Sequence, residues 1–323
     1  MTNTILVTGS SGYVASDLMP RLNGIGIVVG VDLVPSDRTD YSIDIASKEF
    51  GAVVNSLLDG EVTIINLAAA RFDFGASADD YFRLNVSCHQ NFLQNLINVK
   101  IKKFIHVSSV AAIDGREIPY KEDLSCDDAY RCTKYLQENL VRKWCQEREI
   151  ELSVLYPSAI FSDDARSDTN IGKMQSISKA LPFVPVININ KSITFLPKFS
   201  KFILDHVTKK LPSGSYLTIE KPVMSVTQMI VALSGKNLIQ IRIPGFQKIL
   251  KFTAWVLFVL GGFGRIDLKL TPNRVVKLFS DTSYAGQYEN RIDSQIYDEQ
   301  SNDNLLELLL AFNNEEHERV KDL

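Results

Sequence analysis

The first half of the chain alternates short apolar runs with helix-compatible segments, and this pattern constrains the fold more than any other feature. Apolar runs at 5–8, 27–33, 62–70, 103–108 and 152–156 alternate with predicted helices at 13–22, 47–58, 85–99 and 127–149. Strands separated by helices pair in parallel, because each crossover helix must cover a face of the sheet. We therefore predict an α/β fold built on a doubly wound parallel sheet.

The alternation weakens after about Phe161, where loop-like and proline-containing sequence indicates a second lobe. We predict a first domain at 1–165 and a smaller C-terminal α/β lobe at 166–323. A segment at 192–210 could return from the second lobe to the first domain.

Composition and charge exclude several classes of protein. Lys and Arg number 35 against 38 Asp and Glu, giving a net charge of -3, so the broad positive surface that nucleic-acid binding needs is missing. The four cysteines form no CxxC pair, and we expect thiols in a reducing cytoplasm with no metal site. The first residues lack the features of an export signal, so we do not expect secretion.

A glycine turn follows the first apolar run and precedes the first predicted helix. It reads Gly9-Ser-Ser-Gly12-Tyr-Val-Ala15. Gly9 permits a tight turn, Gly12 allows close approach of a ligand, and the small Ala15 lets the helix pack near the strand. A glycine turn alone can be an ordinary strand-to-helix turn, but this position favours dinucleotide binding, with the pyrophosphate at the helix N-terminus.

An acidic residue ends the second apolar run. Asp32 lies where a carboxylate can accept hydrogen bonds from the adenosine ribose hydroxyls, which favours NAD over NADP. Arg38 keeps the NADP alternative open, because it could attract a 2'-phosphate. Asp44 could meet the adenine amino group or could be an exposed loop residue.

Three further residues could carry the chemistry. Tyr130 and Lys134 are four residues apart on a predicted helix, so they share a face, and a nearby ammonium favours the ionised form of a phenol. Ser109 follows a predicted strand at the end where ligands bind in doubly wound sheets. Taken singly, these features also suit an amphipathic helix with a surface lysine and a serine cap.

In combination, these motifs resemble the extended short-chain dehydrogenase/reductase family, which includes nucleotide-sugar epimerases, dehydratases and reductases. The residues that carry the resemblance are Thr8-Gly9-Ser-Ser-Gly12-Tyr-Val-Ala15, Asp32, Asp44-Ile45, Asn66-Leu-Ala-Ala69, Asn85, Ser108-Ser109, Tyr130-Arg-Cys132-Thr-Lys134 and Leu155-Tyr-Pro157. They occur in the family's order and spacing over roughly the first half of the chain. Ala15 stands where the family usually has glycine, and Tyr156 where relatives often have arginine.

The resemblance implies a role for each matched residue. Tyr130 would be the acid/base, Lys134 would bind the nicotinamide ribose and favour the ionised phenol, and Ser109 would orient the reacting oxygen. It makes 1–165 the dinucleotide-binding domain and 166–323 the substrate-binding lobe. The implied NAD contacts are Gly9, Ser11, Gly12, Tyr13, Val14, Asp32, Leu33, Asp44, Ile45, Leu67, Ala68, Ala69, Lys134 and Pro157. A homodimer formed through the helices containing Asn85 and Tyr130 is also implied.

The residues after Ser109 narrow the reaction. Sugar dehydratases of this family place Asp-Glu there, because removing water needs a separate acid and base, whereas this chain has Val110 and Ala111. We predict an NAD-dependent UDP-hexose 4-epimerase that works through a 4-keto intermediate in surface polysaccharide biosynthesis. The alternatives are a 4-keto nucleotide-sugar reductase using NAD(P)H, a hydroxysteroid-type dehydrogenase and a non-catalytic NAD-sensing protein.

Individual residues, rather than a motif, are the candidates for contact with the substrate. An arginine side chain suits a diphosphate, because its guanidinium can bind phosphate oxygens through two N–H groups. The candidates are Arg71, Ser109, Ser158, Arg242 and Arg274.

An apolar segment at 252–263 is too short to span a bilayer. We expect it to be a buried or subunit-facing helix, with shallow docking on a membrane surface near Trp255 as the alternative.

Overall fold

The structure is a computed structural model that describes residues 4–57, 60–70, 76–162, 170–219 and 224–263. Two compact units divide this part of the chain. Of the described residues, those within 4–158 and 196–218 belong to the first unit, and those within 159–195 and 219–263 belong to the second. The described part of the first unit thus comes from two separate stretches of sequence.

The stretch up to Ser158 alternates strands and helices from its first described residue. Its elements are β1 (Thr4–Thr8), α1 (Tyr13–Leu22), β2 (Ile27–Asp32), β3 (Tyr41–Ser42), α2 (Lys48–Leu57), β4 (Val62–Asn66), α3 (Ala78–Phe82), a π-helical turn (Arg83–Ser87), α4 (Cys88–Asn95), β5 (Ile101–Val107), α5 (Val110–Gly115), α6 (Cys126–Glu147) and β6 (Glu151–Pro157). The predicted helix at 13–22 coincides with α1.

The rest of the described chain contains shorter strands. In order, its elements are β7 (Ala159–Phe161), α7 (Asn170–Ala180), β8 (Phe183–Pro185), β9 (Asn190–Lys191), β10 (Ile193–Phe195), α8 (Leu196–Val207), β11 (Gly214–Thr218), β12 (Met224–Ser225), α9 (Val226–Ser234), β13 (Ile239–Ile241) and α10 (Phe246–Phe263). In the second unit the strands pair two by two, as β10 with β7, β12 with β9 and β13 with β8. This unit is a small α/β lobe.

A seven-stranded parallel sheet forms the centre of the first unit. Its order is β11-β6-β5-β4-β1-β2-β3, and every neighbouring pair is parallel. The chain leaves β1 toward one edge and returns to its other side at β4, so the topological switch point lies between these two strands. The predicted α/β fold, with a doubly wound parallel sheet and a smaller second lobe, is confirmed.

Aromatic side chains join one face of this sheet to its covering helices. The ring of Phe104 on β5 lies 6.5 Å from that of Phe92 on α4 and 6.3 Å from that of Trp144 on α6, between centroids. Phe50 on α2 meets Phe92 at 5.8 Å. Buried aromatic pairs of this kind stabilise the contact beyond the area they remove from water. They fix α4 and α6 against the strands whose ends carry the candidate site.

Several predicted segments differ from the structure at their boundaries, most of them by one or two residues and three by more. The apolar run at 62–70 is a strand only to Asn66, and the predicted helix at 85–99 is part of a helical segment that begins at Ala78 and ends at Asn95. The early start has a local cause, because Ser77 and Asp80 form a capping box that stabilises the first turn. The return to the first unit spans 196–218 and joins the sheet through β11.

No helix in the described ranges has the length and apolar character needed to cross a membrane.

Candidate functional site

The glycine turn after β1 is pressed against the end of β4. Gly9 has a φ of +75°, a left-handed conformation that suits glycine, and a Cβ atom there would lie 2.9 Å from the Ala68 nitrogen. The Gly9 N–H donates to the Val31 carbonyl at 2.9 Å. Glycine is therefore required at this position to bring the turn to the switch point of the sheet.

The N-terminus of α1 opens directly from this turn. Its N-cap is Gly12, no side chain caps that end, and the first turn holds no acidic residue. The N-terminal N–H groups of a helix attract anions when side chains neither cap nor repel them there. Ser11, Tyr13 and Val14 line the turn as half-buried residues.

A carboxylate and a guanidinium lie against the same turn. Asp32 accepts hydrogen bonds from the Ser11 N–H (Oδ2, 3.0 Å) and from the Val34 N–H (Oδ1, 3.0 Å). Arg38 donates to the carbonyls of Ser10 at 3.3 Å and Ser11 at 3.5 Å. Leu33, the next residue after the strand, is 64% exposed. The turn thus has an acid at the end of β2 and a cation from the following loop.

The loop after β3 holds the residues expected near an adenine ring. Asp44 is exposed, and its Oδ1 accepts from the Ala46 N–H at 2.9 Å. The Ile45 carbonyl accepts from the Asn95 side chain at 3.0 Å. Asp44 therefore shapes its own turn in the structure.

The backbone after β4 runs beside β1. Leu67 N donates to the Thr8 carbonyl at 3.2 Å, and Ala68 N donates to the Thr8 hydroxyl at 3.4 Å. That hydroxyl donates to Asn66 Oδ1 at 2.7 Å. Ala69 is exposed at the end of this segment. Residues 67–69 therefore border the same strand ends as the glycine turn.

Lys134 is buried on α6 and reaches the carboxyl end of β5. It is 2% exposed, and its Nζ donates to the Val107 carbonyl at 3.4 Å and to Gln137 Oε1 at 2.5 Å. Burial lowers the pKa of Lys134 to about 8, against the opposing effect of the nearby Glu138 charge. The ammonium is thus held inside the protein, at the carbonyl of Val107, which lies two residues before Ser109 in the chain.

The other two predicted catalytic residues lie on α6 and at the start of α5. Tyr130 lies one helical turn before Lys134, is half-buried, and meets the Tyr81 ring edge-on at 5.9 Å between centroids. Ser109 is the N-cap of α5, where its Oγ accepts from the Ala111 N–H at 3.1 Å. An oxygen that accepts in this way keeps its own O–H for donation to another group.

Helices α5 and α6, which carry the three predicted catalytic residues, pack closely against each other. A Cβ atom at Gly115 would lie 2.1 Å from the Arg131 carbonyl, so only glycine permits this approach of the two helices. Since Ser109 caps α5 and Tyr130 and Lys134 lie on α6, this contact fixes the elements that carry them.

A buried polar chain behind Lys134 was not predicted. Gln137 donates through Nε2 to the Ala68 carbonyl at 3.3 Å and approaches His89 Nε2 at 2.6 Å. Since Gln137 Oε1 accepts from Lys134, its amide nitrogen donates to the ring, and His89 acts as an acceptor. Burial and the Lys134 charge lower the pKa of His89 to about 3, which keeps the ring neutral.

A second unpredicted cluster centres on Glu138, which is 1% exposed. Its Oε2 accepts from the Ser108 hydroxyl at 2.7 Å, and its Oε1 accepts from Arg142 Nε at 2.8 Å and from the Tyr156 hydroxyl at 2.5 Å. Arg142 also donates to the hydroxyls of Tyr156 at 2.8 Å and Ser215 at 2.7 Å. Burial and the Glu138 charge both raise the pKa of Tyr156, so its hydroxyl stays protonated as a donor.

The guanidinium in this cluster is that of Arg142, one turn after Glu138 on α6, and the Tyr156 hydroxyl joins it from β6. The signal was present in the sequence, because Tyr130, Lys134, Glu138 and Arg142 follow each other at intervals of four residues.

The remaining predicted contacts lie at the end of β6, after β13 and outside the described residues. Pro157 is buried at the end of β6, and Ser158 is half-buried after it. Arg242 is exposed directly after β13 in the second unit. Arg71 and Arg274 lie outside the described residues.

The buried lysine predicts a pH dependence of stability. A folded-state pKa of about 8 lies below the ordinary lysine value, so the unfolded chain binds more protons between these two pKa values. Stability should therefore rise with pH across this window. Relative to Lys134→Met, we expect the free energy of unfolding of the ligand-free protein to increase by about 2 kcal/mol between about pH 8 and about pH 10. Urea unfolding of both proteins measures it, and parallel pH curves would contradict the assignment.

Comparisons with known proteins add independent findings. A sequence model of the NAD dependent epimerase/dehydratase family matches residues 5–181. No curated protein sequence matches the chain at a significant level.

Several solved structures share the fold at low sequence identity. UDP-glucuronic acid 4-epimerase from Bacillus cereus, solved in complex with NAD, is 20% identical with a TM-score of 0.59, covering 75% of this chain and 86% of that one. UDP-N-acetylglucosamine 4-epimerase from Bacillus cereus is 15% identical with a TM-score of 0.60, covering 75% and 86%. UDP-glucose 4-epimerase from Thermotoga maritima is 19% identical with a TM-score of 0.58, covering 74% and 85%.

Proposed function

Because the chain belongs to the NAD-dependent epimerase/dehydratase family, a family of NAD-dependent enzymes, we propose that it is a nucleotide-sugar 4-epimerase acting on a UDP-hexose. The observation that carries the proposal is the buried Lys134 ammonium at the carboxyl end of β5, one turn after Tyr130 and next to the segment that holds Ser109. Three structural neighbours are themselves UDP-sugar 4-epimerases, which supports this choice of reaction.

The residues around the glycine turn fit NAD. The uncapped N-terminus of α1, free of acidic residues in its first turn, suits a pyrophosphate, and the Asp32 carboxylate at the end of β2 suits the adenosine ribose hydroxyls. Asp44 and Ile45 follow on the adenine side, while residues 67–69 and Pro157 border the strand ends toward the nicotinamide. The Arg38 side chain donates to carbonyls of the turn, and we therefore do not assign it to a 2'-phosphate, which would indicate NADP. We assign Asp32 to the 2'-hydroxyl of the adenosine ribose, as in NAD binding.

The requirement for glycine at the turn gives a specific prediction. Gly9→Ala should weaken NAD binding at least about tenfold, because the new Cβ meets the Ala68 backbone and the left-handed backbone is strained as well. Isothermal titration with NAD measures the effect. Gly24→Ala is the matched control, since Gly24 has a φ of +81° with nothing within 4 Å of its Cβ position. Equal NAD affinities for the two variants would contradict this account of the turn.

The proton chemistry is assigned to three residues. In the proposed reaction Tyr130, acting as the phenolate, takes the proton from the C4 hydroxyl of the sugar and becomes the neutral phenol. Lys134 is assigned to the nicotinamide ribose. Ser109 donates its O–H to the oxygen that becomes the C4 carbonyl. NAD, when bound, accepts and returns the hydride. Tyr130 then returns the proton after the 4-keto sugar has turned its other face, and the hydroxyl is inverted.

The residues after Ser109 favour epimerisation over loss of water. Dehydration needs an additional acid and base beside the sugar, and the first turn of α5 offers Val110, which is 8% exposed, and Ala111 instead. Oxidation and reduction at a single carbon need only the Tyr130, Lys134 and Ser109 groups.

Two wider parts of the proposal follow from the resemblance described above. We propose a homodimer formed through the helical segment at 78–95, which contains Asn85, and α6, which contains Tyr130, and a role in surface polysaccharide biosynthesis. Ser158 and Arg242 are proposed to contact the substrate.

Product analysis tests the function directly. The purified protein, without added cofactor, is incubated separately with UDP-glucose, UDP-galactose, UDP-glucuronic acid and UDP-N-acetylglucosamine. We expect one of them to be converted to its C4 epimer with no net consumption of nicotinamide nucleotide. Consumption of added NADPH by a keto sugar, with no epimer formed from any of the four, would identify a reductase and overturn the proposal.

A further inference from the structure

Helix α10 carries an exposed apolar stripe. Ile249 is 55% exposed, Phe252 is 65% exposed and Trp255 is 55% exposed, and their spacing of three residues places them on one face of the helix. The Phe252 and Trp255 rings are stacked with centroids 6.2 Å apart. Single exposed apolar residues are ordinary, but a contiguous group of large ones marks an interaction surface.

Two lysines lie within this surface. Lys248 precedes Phe252 by four residues and Lys251 precedes Trp255 by four, so each lysine is one helical turn from an exposed aromatic ring. Neither lysine forms an ion pair with an acidic residue of the described chain. The surface that α10 presents therefore combines apolar side chains with uncompensated positive charge.

The sequence around α10 is cationic in an otherwise acidic protein. The whole chain has a net charge of -3, yet no Asp or Glu occurs between Glu220 and Asp267. The basic residues in that interval are Lys221, Lys236, Arg242, Lys248, Lys251 and Arg265. A surface with this charge attracts a partner that is anionic and can also receive apolar side chains.

A phospholipid surface meets both requirements. Lysine is depleted at protein interfaces, because burying an unpaired ammonium is costly, whereas at a bilayer its stem lies along the acyl boundary and its charge reaches the headgroups. We propose that α10 docks the protein on an anionic phospholipid bilayer, with Ile249, Phe252 and Trp255 below the headgroups and Lys248 and Lys251 at the phosphates. This peripheral contact is independent of the proposed catalytic activity.

Vesicle binding tests the proposal, and the chain has a convenient probe. Of its two tryptophans, Trp144 is 9% exposed, so a change of emission on binding reports Trp255. With vesicles of phosphatidylcholine and phosphatidylglycerol, we expect co-sedimentation, a blue shift of the emission and protection from acrylamide. Each lysine near an anionic surface contributes about fivefold to the affinity, so Lys248→Gln/Lys251→Gln should weaken vesicle binding about 25-fold. Ile249→Ser/Phe252→Ser, which keeps Trp255, should weaken it at least about tenfold.

Matched controls separate this surface from general stickiness. Val34→Ser/Ile97→Ser removes two exposed apolar side chains of the first unit. Lys48→Gln/Lys121→Gln removes two exposed lysines of the same unit. Neither double variant should change vesicle binding. No sedimentation with these vesicles, or equal binding to pure phosphatidylcholine, would overturn the proposal. A dimer in light scattering that Ile249→Ser/Phe252→Ser dissociates, without vesicle binding by the native chain, would overturn it in favour of a second copy.

Discussion

Replacing Tyr130 with phenylalanine should lower kcat by about a thousandfold, because general acid–base catalysis by a positioned side chain contributes between about a hundredfold and ten-thousandfold. The variant keeps the ring and its edge-on contact with Tyr81, and loses only the hydroxyl. Binding of UDP-sugar and NAD should therefore be nearly unchanged. Steady-state epimerisation with the UDP-hexose found active, together with NAD titration, measures both quantities.

A neighbouring tyrosine supplies the control. Tyr81→Phe removes a hydroxyl that lies 3.3 Å from Cys126 Sγ, and it preserves the ring that meets Tyr130. We expect its kcat to stay within about threefold of the native value, since no proton transfer is assigned to it. A Tyr130→Phe enzyme that retains more than about a tenth of native kcat would remove Tyr130 from the proposed proton transfer.

The sequence predicted the architecture around β1 because local and long-range signals agree there. Gly9 and Gly12 break the chain between an apolar strand and an amphipathic helix, so the boundaries of α1 could be read directly. Parallel pairing followed from the alternation of strands and helices. The family and its cofactor, NAD, were also indicated by these motifs, and the family match confirms both.

Buried polar residues were harder to predict. An amphipathic pattern assigns polar side chains to solvent, but α6 is buried over the whole of 132–139, so Gln137 and Glu138 face the interior. Which polar residues of a helix are buried depends on what packs against it from every side. The partners of these two residues, among them Ala68 and Ser108, come from distant parts of the chain.

The start of the helical segment at Ala78 was missed for a different reason. The capping box of Ser77 and Asp80 is a readable signal, but the helix it starts continues through the π-helical turn at 83–87. A π-helical turn shifts the helical phase, so apolar periodicity followed back from α4 is lost within the turn, where the predicted helix starts at 85. Asn85 lies in this turn, and its Oδ1 accepts from the Ala70 N–H at 2.7 Å. The turn therefore holds Asn85 against the segment that follows β4.

Removing the Glu138 carboxylate should cost about 3–5 kcal/mol of unfolding free energy, because it leaves a largely buried guanidinium without its charge partner. The Glu138 side chain is 1% exposed and that of Arg142 is 18% exposed, with Nε and Oε1 2.8 Å apart. Glu138→Ala also deprives the Ser108 and Tyr156 hydroxyls of their acceptor. Denaturant unfolding of the ligand-free protein measures the loss.

The chain contains a nearly identical pair at its surface. Arg21 Nε and Asp17 Oδ2 are also 2.8 Å apart and four residues apart in a helix, but their side chains are 38% and 25% exposed. Asp17→Ala should therefore cost less than about 1 kcal/mol, because exposed pairs are solvated and screened.

A double variant separates the cost of leaving the Arg142 charge unpaired from the cost of removing side-chain volume. In Glu138→Leu/Arg142→Met neither charge remains, and replacing a buried pair by apolar residues is often close to neutral. We expect this variant to recover at least about half of the stability lost in Glu138→Ala. Costs for Glu138→Ala and Asp17→Ala that agree within about 1 kcal/mol would show that burial does not set the strength of the Glu138 pair.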